Sequence, residues 1–148
     1  MYTYATQPID QVTEEVSLTR SNRLKVLIVD DSISLRKRLS EMLSRVAGLD
    51  IIGEAGSVAQ AHDAIRELRP DVVILDLQMG DGNGIEVLRE TKRLYPSIRQ
   101  VIFTNHPELQ YRQRCLDLGA DYFFCKSTDA RSLIAVSETM VAATGNKS

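Results

Sequence analysis

A short apolar run between two carboxylates, Asp71-Val72-Val73-Ile74-Leu75-Asp76, constrains the fold of this chain more than any other stretch. Pro70 precedes the run, and a glycine-bearing segment, residues 79–84, follows it. Four consecutive apolar residues between such breakers are typical of a strand buried on both faces, as in a parallel sheet. Parallel sheets carry functional residues at the carboxyl ends of their strands, where Asp76 lies. Asp76 is therefore either the start of a turn or a reactive carboxylate.

Other apolar runs repeat this construction, and stretches of helical periodicity separate them. The further runs, the second of them weaker, are residues 24–29, 50–55, 98–103 and 122–125. The first helix is predicted from a single apolar stripe at Leu35, Leu39, Met42, Leu43 and Val46. Ser32 or Ser34 can cap that helix and Gly48 can end it. Five strand–helix alternations predict an α/β fold with a doubly wound, five-stranded parallel sheet, order 2-1-3-4-5, which is the flavodoxin-like arrangement.

The remaining helices are delimited by caps and breakers. The second helix begins at Ser57 and ends before Pro70, and the third carries Ile85, Leu88, Thr91 and Leu94. Residues 107–118 are helical but less clearly amphipathic, and Thr128 can cap the last helix. We expect a flexible leader at residues 1–22, one domain at residues 23–144 and a frayed C-terminus at residues 145–148.

Composition limits the class of protein. The chain has 148 residues, of which 43% are hydrophobic and 26% charged, which suits one folded domain. A net charge of -2 provides no general attraction to nucleic acid, so we expect no direct nucleic-acid binding. Neither a secretory signal nor a membrane-spanning run is visible. We therefore expect a cytoplasmic protein in which Cys115 and Cys125 are reduced.

The residues that end the predicted strands form a chemical set. They are Asp30 and Asp31, Asp76, Thr104 and Lys126. In a parallel sheet of this order they share one edge, and the first three meet where the strand order reverses. Close carboxylates repel one another unless a cation intervenes, and hard oxygen ligands with an open coordination sphere suit Mg²⁺. Together with an ammonium and a hydroxyl, they could receive a phosphoryl group on Asp76.

Each of these residues alone has an ordinary structural interpretation. The two neighbouring aspartates could cap the first helix, Thr104 could be a turn hydroxyl, and Lys126 could be a solvated charge. Their coincidence at one sheet edge favours the phosphoryl-transfer interpretation.

Four motifs resemble the receiver domain of bacterial two-component response regulators over about residues 24–143. The motifs are Val29-Asp30-Asp31-Ser32, Ile74-Leu75-Asp76-Leu77-Gln78-Met79, Phe103-Thr104 and Gly119-Ala120-Asp121-Tyr122-Phe123-Phe124-Cys125-Lys126. The resemblance implies that Asp76 is the phosphoacceptor, that Asp30, Asp31 and the backbone carbonyl of Gln78 hold Mg²⁺, and that Lys126 pairs with the phosphoryl group. It also implies that Thr104 and Phe123 act as a switch that changes the surface of the fourth helix, fifth strand and fifth helix.

The same resemblance implies the partners. A sensor histidine kinase or a histidine phosphotransfer protein would supply the phosphoryl group, and the altered surface would regulate a downstream protein or form a phosphorylation-dependent homodimer. Such a protein is not an enzyme in the turnover sense, because it catalyses only its own phosphorylation and dephosphorylation.

The chain departs from the family pattern at four positions. Gly80 replaces the usual proline after Met79, and Asn105 replaces the small residue after the switch threonine. Phe123 lacks the hydroxyl of the commoner tyrosine, and Ser127 replaces a proline that often follows the lysine in a cis bond. A cis bond before serine would cost about 2.5–4 kcal/mol, so its presence is in doubt.

Three residues are expected to set the lifetime of the phosphorylated state. By resemblance, Gln78 and His106 face the path of the hydrolytic water, and Asn105 lies beside them. We expect Asn105 to narrow access to the phosphoryl group. Because an imidazole changes charge near neutral pH, His106 could make hydrolysis pH-dependent, although it could equally be an exposed cap of the fourth helix.

Other functions fit the sequence less well. A haloacid-dehalogenase-type phosphatase needs an aspartate where Gln78 stands, and a nucleotide-binding module needs glycines after the first strand, where Asp30-Asp31-Ser32-Ile33 is found. A degenerate receiver that only binds proteins would not need all five chemical residues. The residues outside the domain are too few for a helix-turn-helix effector, so we expect a stand-alone receiver. The alternative is a fragment of a longer DNA-binding regulator.

Overall fold

Strands and helices alternate along residues 23–106 and 108–145, the part of the chain that the computed structural model describes. The strands are β1 (Leu24–Val29), β2 (Leu49–Ala55), β3 (Val72–Leu75), β4 (Gln78–Met79), β5 (Gly82–Asn83), β6 (Arg99–Thr104) and β7 (Tyr122–Cys125). The helices are α1 (Ile33–Leu43), α2 (Val58–Leu68), α3 (Gly84–Leu94), α4 (Leu109–Asp117) and α5 (Ala130–Gly145).

Five of the strands form one parallel sheet in the order β2-β1-β3-β6-β7. This is the predicted 2-1-3-4-5 order, because β4 and β5 form a separate small antiparallel hairpin. The fold is flavodoxin-like, as predicted. β1 lies beside both β2 and β3, so the strand order reverses there, and the carboxyl ends of β1 and β3 face one crevice.

Alternate side chains of each strand bury against helices on opposite faces of the sheet. On one face, Leu27 and Leu75 pack with residues of α2, α3 and α4, including Ile65, Val87 and Cys115. On the other face, the sheet packs against α1 and α5 through Ile28, Val101, Leu39 and Leu133. Because both faces are covered, residues 72–75 of the central strand are all buried. A strand buried on both faces must be apolar throughout, as this one is.

Side-chain caps fix the starts of three helices, and with them the loops that follow the strands. Ser32 accepts a hydrogen bond from the backbone N–H of Leu35, and Ser57 accepts one from Gln60. Asn83 does the same for Ile85 at the start of α3. The caps at Ser32 and Ser57 agree with the sequence prediction.

Several boundaries and one burial assignment differ from prediction. α1 ends at Leu43 instead of continuing to Gly48, and Val46 is buried from the following turn. Leu94 is 49% exposed instead of facing the core, where the next residue, Tyr95, packs. The residue immediately before α5 is Asp129, not Thr128, and its backbone carbonyl accepts the first bond from Leu133.

Two of the predicted segments cannot be compared. The proposed leader, residues 1–22, and residues 146–148 of the proposed frayed end lie outside the described residues. Gly145, also assigned to that end, is the last residue of α5. Within the described ranges, no helix combines the length and the apolar character needed to cross a membrane.

Candidate functional site

The three aspartates that end β1 and β3 converge at the reversal of the sheet. One carboxylate oxygen from each of Asp30, Asp31 and Asp76 can be chosen so that all lie within 4.8 Å of one another. Asp30 and Asp76 are buried, whereas Asp31 is exposed at the rim. The carboxyl end of β1 therefore supplies two charges and that of β3 supplies the third, as the strand order predicts.

Lys126, the first residue after β7, reaches into this cluster. Its Nζ lies 2.6 Å from an Asp30 oxygen and 3.0 Å from an Asp76 oxygen. Desolvation raises the pKa of the Asp30 carboxyl, a rise that hydrogen bonds from Lys126 and the Ser32 amide only partly offset. Desolvation also opposes the charge on Lys126, but the two carboxylates outweigh it and raise its pKa. The lysine is thus a fixed cation between two buried carboxylates.

The donor set fits a divalent cation. Three carboxylates lie within reach of a single ion, and one of them, Asp31, is open to solvent. Mg²⁺ favours hard oxygen ligands and keeps several waters, which a site at the rim of an open pocket allows. Gln78, whose backbone carbonyl is predicted from the sequence as a further ligand, lines that same pocket.

The remaining wall of the pocket comes from the end of β6. Thr104 is fully buried, and its Oγ1 accepts a hydrogen bond of 3.2 Å from the backbone N–H of His106. The imidazole Nε2 of His106 contacts the side-chain oxygen of Gln78 across the pocket. Asn105, which lies between Thr104 and His106 in the sequence, is exposed at the rim of the pocket. The structure thus brings the predicted acceptor, metal and rate-setting residues to one crevice.

The predicted switch aromatic, Phe123, lies within β7, three residues before Lys126. Phe123 is 5% exposed on β7 and packs in the core beside Cys115, while the Arg112 guanidinium of α4 lies 5.8 Å from its ring centre.

The peptide bond between Lys126 and Ser127 is trans, which agrees with the cost of a cis bond before serine. Both cysteines are free thiols, and burial raises the pKa of Cys115 to about 11.

Comparison with known proteins supports this architecture. The model of the response regulator receiver domain matches residues 26–138. This chain belongs to that family. Relatives include the response regulator protein VraR of Staphylococcus saprophyticus, 36% identical over 110 residues, and that of Staphylococcus aureus strain NCTC 8325, 34% identical. Each match covers 74% of this chain but 53% of the relative, so the receiver spans about half of their length.

Solved structures show the same fold. A LuxR-family response regulator from Aurantimonas sp. SI85-9A1 matches with a TM-score of 0.76 and 27% identity, covering 82% of this chain and 86% of that chain. A chain of the CheX-CheY-BeF3-Mg complex from Borrelia burgdorferi matches with a TM-score of 0.70 and 26% identity, covering 80% and 89%. Both similarities extend over nearly all of the described receiver.

The receiver also contains a supporting residue that the sequence did not suggest. Arg36 of α1 donates from Nη1 to the backbone carbonyl of Asp30 at 2.6 Å and from Nε to Glu54 at 3.1 Å. Its guanidinium thereby ties the turn that carries two acidic residues to β2. On sequence alone an arginine in a helix is typical of a solvated face, so no signal separates Arg36 from its neighbours.

Gly84 is a second supporting residue that the sequence analysis missed. The signal that could have indicated it is a glycine at the predicted start of a helix. Gly84 is buried at the first position of α3, where an added Cβ would lie 2.1 Å from the carbonyl oxygen of Asp76 and 2.9 Å from the Leu77 Cα. Its amide donates to the Leu77 carbonyl at 2.7 Å. Only glycine therefore lets α3 start this close to the backbone of Asp76.

We expect Gly84→Ala to displace Asp76. Although alanine favours helix, the overlap with backbone atoms should destabilise the receiver by about 1–3 kcal/mol, as overpacking usually does. Thermal unfolding and NMR shifts of the Asp76 and Leu77 amides would measure both effects. Gly80→Ala is the matched control, because its Cβ would make an ordinary 3.8 Å contact with Asp31. Equal stability of the two variants would contradict the close approach.

Proposed function

We propose that this receiver is a phosphoacceptor switch in which Asp76 takes a phosphoryl group from a phosphohistidine donor. The observation that carries the proposal is the placement of Lys126 between Asp30 and Asp76, at the open carboxyl end of the sheet. A cation held beside two buried carboxylates at an open pocket can balance the charge that arrives with a phosphoryl group. A histidine kinase or histidine phosphotransfer protein is the proposed donor.

The proposed chemistry is one displacement at phosphorus. A carboxylate oxygen of Asp76 attacks the phosphorus, the P–N bond to the donor imidazole breaks, and an acyl phosphate forms as the imidazole leaves. Lys126, already 3.0 Å from Asp76, would pair with a phosphoryl oxygen. Attack of water on the phosphorus would then release inorganic phosphate and return Asp76 to its carboxylate. The receiver would thus catalyse only its own phosphorylation and dephosphorylation.

Mg²⁺ is the proposed cofactor of this step. The residues that would hold it are Asp30, Asp31, Asp76 and the backbone carbonyl of Gln78. When bound, the ion supplies charge neutralisation at the phosphoryl oxygens. The Borrelia burgdorferi complex, which includes a chain of the same fold, contains both Mg and beryllofluoride, a phosphoryl analogue. That similarity supports the assignment of both ligands to this site.

We further propose that the switch uses Thr104 and Phe123. Thr104 ends β6 beside the acceptor pocket, and Phe123 lies on the neighbouring strand β7, next to α4. Movement of the Thr104 hydroxyl toward a phosphoryl oxygen would break its bond to the His106 amide and loosen the start of α4. The surface formed by α4, β7 and α5 would then bind a downstream protein or a second phosphorylated copy.

Amide exchange compared with and without beryllofluoride and Mg²⁺ tests the switch. We expect altered exchange over roughly residues 106–143, the segment that contains α4, β7 and most of α5, because a ligand can shift only states that differ in their contacts with it. The receiver with Asp76→Asn, treated identically, is the control for effects of the reagents. Changes confined to residues 50–70 would refute this output surface.

The residues at the pocket edge are proposed to set the phosphoprotein lifetime. Gln78 and His106 contact each other across the pocket, and Asn105 lies at its rim. We expect Asn105→Ala to speed both loading from small donors and dephosphorylation, by about 2- to 10-fold, because water gains access to the phosphorus. Decay of radiolabelled phosphoprotein measures the rate. Ser127→Ala, at a residue that does not line the acceptor pocket, is the control.

No faster decay in Asn105→Ala would show that this side chain does not limit access. A second prediction concerns His106: the variant His106→Ala should flatten the pH dependence of phosphoprotein decay between about pH 6 and pH 8.

The regulatory context is a proposal with two forms. In the first, the receiver acts alone in the cytoplasm through protein contacts and does not itself bind nucleic acid. In the second, it is part of a longer DNA-binding regulator. The observation that favours the second form is that the chain spans 53% of the VraR relatives. The length of the native open reading frame decides between them.

A further inference from the structure

We propose that Asp81 is a positioning residue whose carboxylate latches the loop after the phosphoacceptor onto the start of α2. The latch keeps this loop, residues 77–83, in the shape that binds Mg²⁺. The inference rests on the proposed function, because it concerns how the same site is held together.

The latch consists of two hydrogen bonds between distant parts of the chain. Asp81 Oδ1 accepts from the backbone N–H of Val58 at 2.8 Å, and Oδ2 accepts from Ala59 at 3.3 Å. These amides are the first two of α2, and such amides have no partner within their own helix. The Val58 amide holds the pKa of Asp81 below its ordinary value, so the carboxylate is charged and favourably placed at the positive end of the helix.

Leu77 and Met79 of this loop are buried in the core, but the turn between β4 and β5 has few other constraints. Asp81 lies at the turn of the β4–β5 hairpin, whose strands have two residues each, and an isolated hairpin of this size is marginally stable. Gly80 and Gly82 flank Asp81, and glycine increases the conformational freedom of the chain. Neither position is a proline, whose ring would restrict the backbone of the turn. The two bonds to α2 are therefore a major link between the tip of the hairpin and the rest of the fold.

The tip of the hairpin is part of the acceptor pocket. Gly80 lies close to Asp31, since an added Cβ would be 3.8 Å from the carboxylate oxygen Oδ2. Gln78 and Met79 of β4 line the pocket together with Asp76. Only the buried Met79 separates this tip from Gln78, so movement of the tip away from α2 would disturb the position of the proposed carbonyl ligand. Loss of the latch should therefore weaken Mg²⁺ binding as well as lower stability.

The same helix start provides a matched control. Ser57 Oγ accepts from the Gln60 amide at 3.0 Å, so α2 has one cap from its own sequence and a second from the loop. Ser57→Ala removes the local cap and leaves the bonds to Asp81 in place. The pair of variants thus separates damage to α2 from release of the loop.

The experiment is a Mg²⁺ titration of the whole chain followed by amide NMR shifts, combined with thermal unfolding. For Asp81→Ala we expect about 10-fold weaker Mg²⁺ binding, the scale at which outer-shell partners act on metal affinity, and faster amide exchange in residues 77–83. Asp81→Asn, which keeps a single acceptor oxygen, should fall between wild type and alanine. Ser57→Ala should lower the melting temperature similarly but change Mg²⁺ affinity by less than about twofold.

Equal Mg²⁺ affinities in Asp81→Ala and Ser57→Ala would overturn the latch, whatever their melting temperatures. If Asp81→Ala does not fold, the comparison of Asp81→Asn with Ser57→Ala decides in the same way. Wild type distinguishes the two proposals. If it binds Mg²⁺ and is phosphorylated, but Asp81→Ala and Ser57→Ala have equal Mg²⁺ affinities, only the latch is wrong. A wild type that does neither contradicts the proposed function itself.

Discussion

Asp76→Asn should abolish phosphorylation of this receiver. With acetyl phosphate or phosphoramidate and Mg²⁺, we expect wild type to gain the mass of one phosphoryl group and the variant to gain none. Asp76 is the residue that combines a buried carboxylate at the end of the central strand, a lysine at 3.0 Å and an open pocket. An amide oxygen in the same place is too weak a nucleophile to form the acyl phosphate.

Intact-protein mass spectrometry measures this result directly. Asp63→Asn is the matched control, since it makes the same change at an exposed carboxylate of α2 and should leave labelling intact. Removing Mg²⁺ with EDTA should suppress labelling of wild type. Equal labelling of wild type and Asp76→Asn would mean that another carboxylate is the acceptor and that the site assignment is wrong.

The sheet and the meeting of the strand ends could be predicted because both follow from simple rules. A strand buried on both faces must be continuously apolar, and residues 72–75 contain only Val, Ile and Leu. Once the order of a parallel sheet is known, the carboxyl ends must share an edge. For this reason Asp30, Asp76 and Lys126 could be placed together without any knowledge of side-chain conformation.

The parts that could not be predicted depend on tertiary contacts. The β4–β5 hairpin has two residues per strand, which is too short for any periodicity to be visible. The hydrogen bond from the Val58 amide to Asp81 joins the first residue of α2 to a turn residue 23 positions later, and no local pattern in either segment predicts the pairing. Leu94 fits the helical stripe by spacing, but Tyr95 occupies the space next to the core instead. Local patterns specify elements, while these details depend on how elements pack.

The second large effect is expected at Lys126. In metal-free buffer, Lys126→Met leaves the buried carboxylates of Asp30 and Asp76 facing each other without a counterion. Removing one partner of a buried ion pair typically costs about 3–5 kcal/mol, and we expect a loss in the free energy of unfolding near the lower value. Phosphorylation should slow by about 100-fold or more, since a fixed positive charge at the reacting oxygens is gone. Lys37→Met, at an exposed position of α1, is the control.

Asp31→Asn should have the opposite effect on the metal-free fold. Asp31 is exposed near the other two carboxylates, and among the described residues it forms no ion pair. Its removal relieves like-charge repulsion, so the melting temperature should rise slightly while Mg²⁺ binding weakens and phosphorylation slows. A melting temperature that falls in metal-free buffer would contradict the repulsion.

The pH dependence of Lys126→Met identifies the cause of its instability. Burial already raises the pKa of Asp30 in the folded receiver, and loss of Lys126 removes the largest influence that lowers it. When the folded pKa exceeds the unfolded value, the native state binds more protons, so stability falls as pH rises from the unfolded to the folded pKa. The stability deficit of Lys126→Met should therefore shrink as the buffer is made acidic, and added Mg²⁺ should reduce it at neutral pH. Denaturant unfolding across this range measures both effects, and a deficit that is independent of pH and of Mg²⁺ would indicate lost packing of the lysine stem instead.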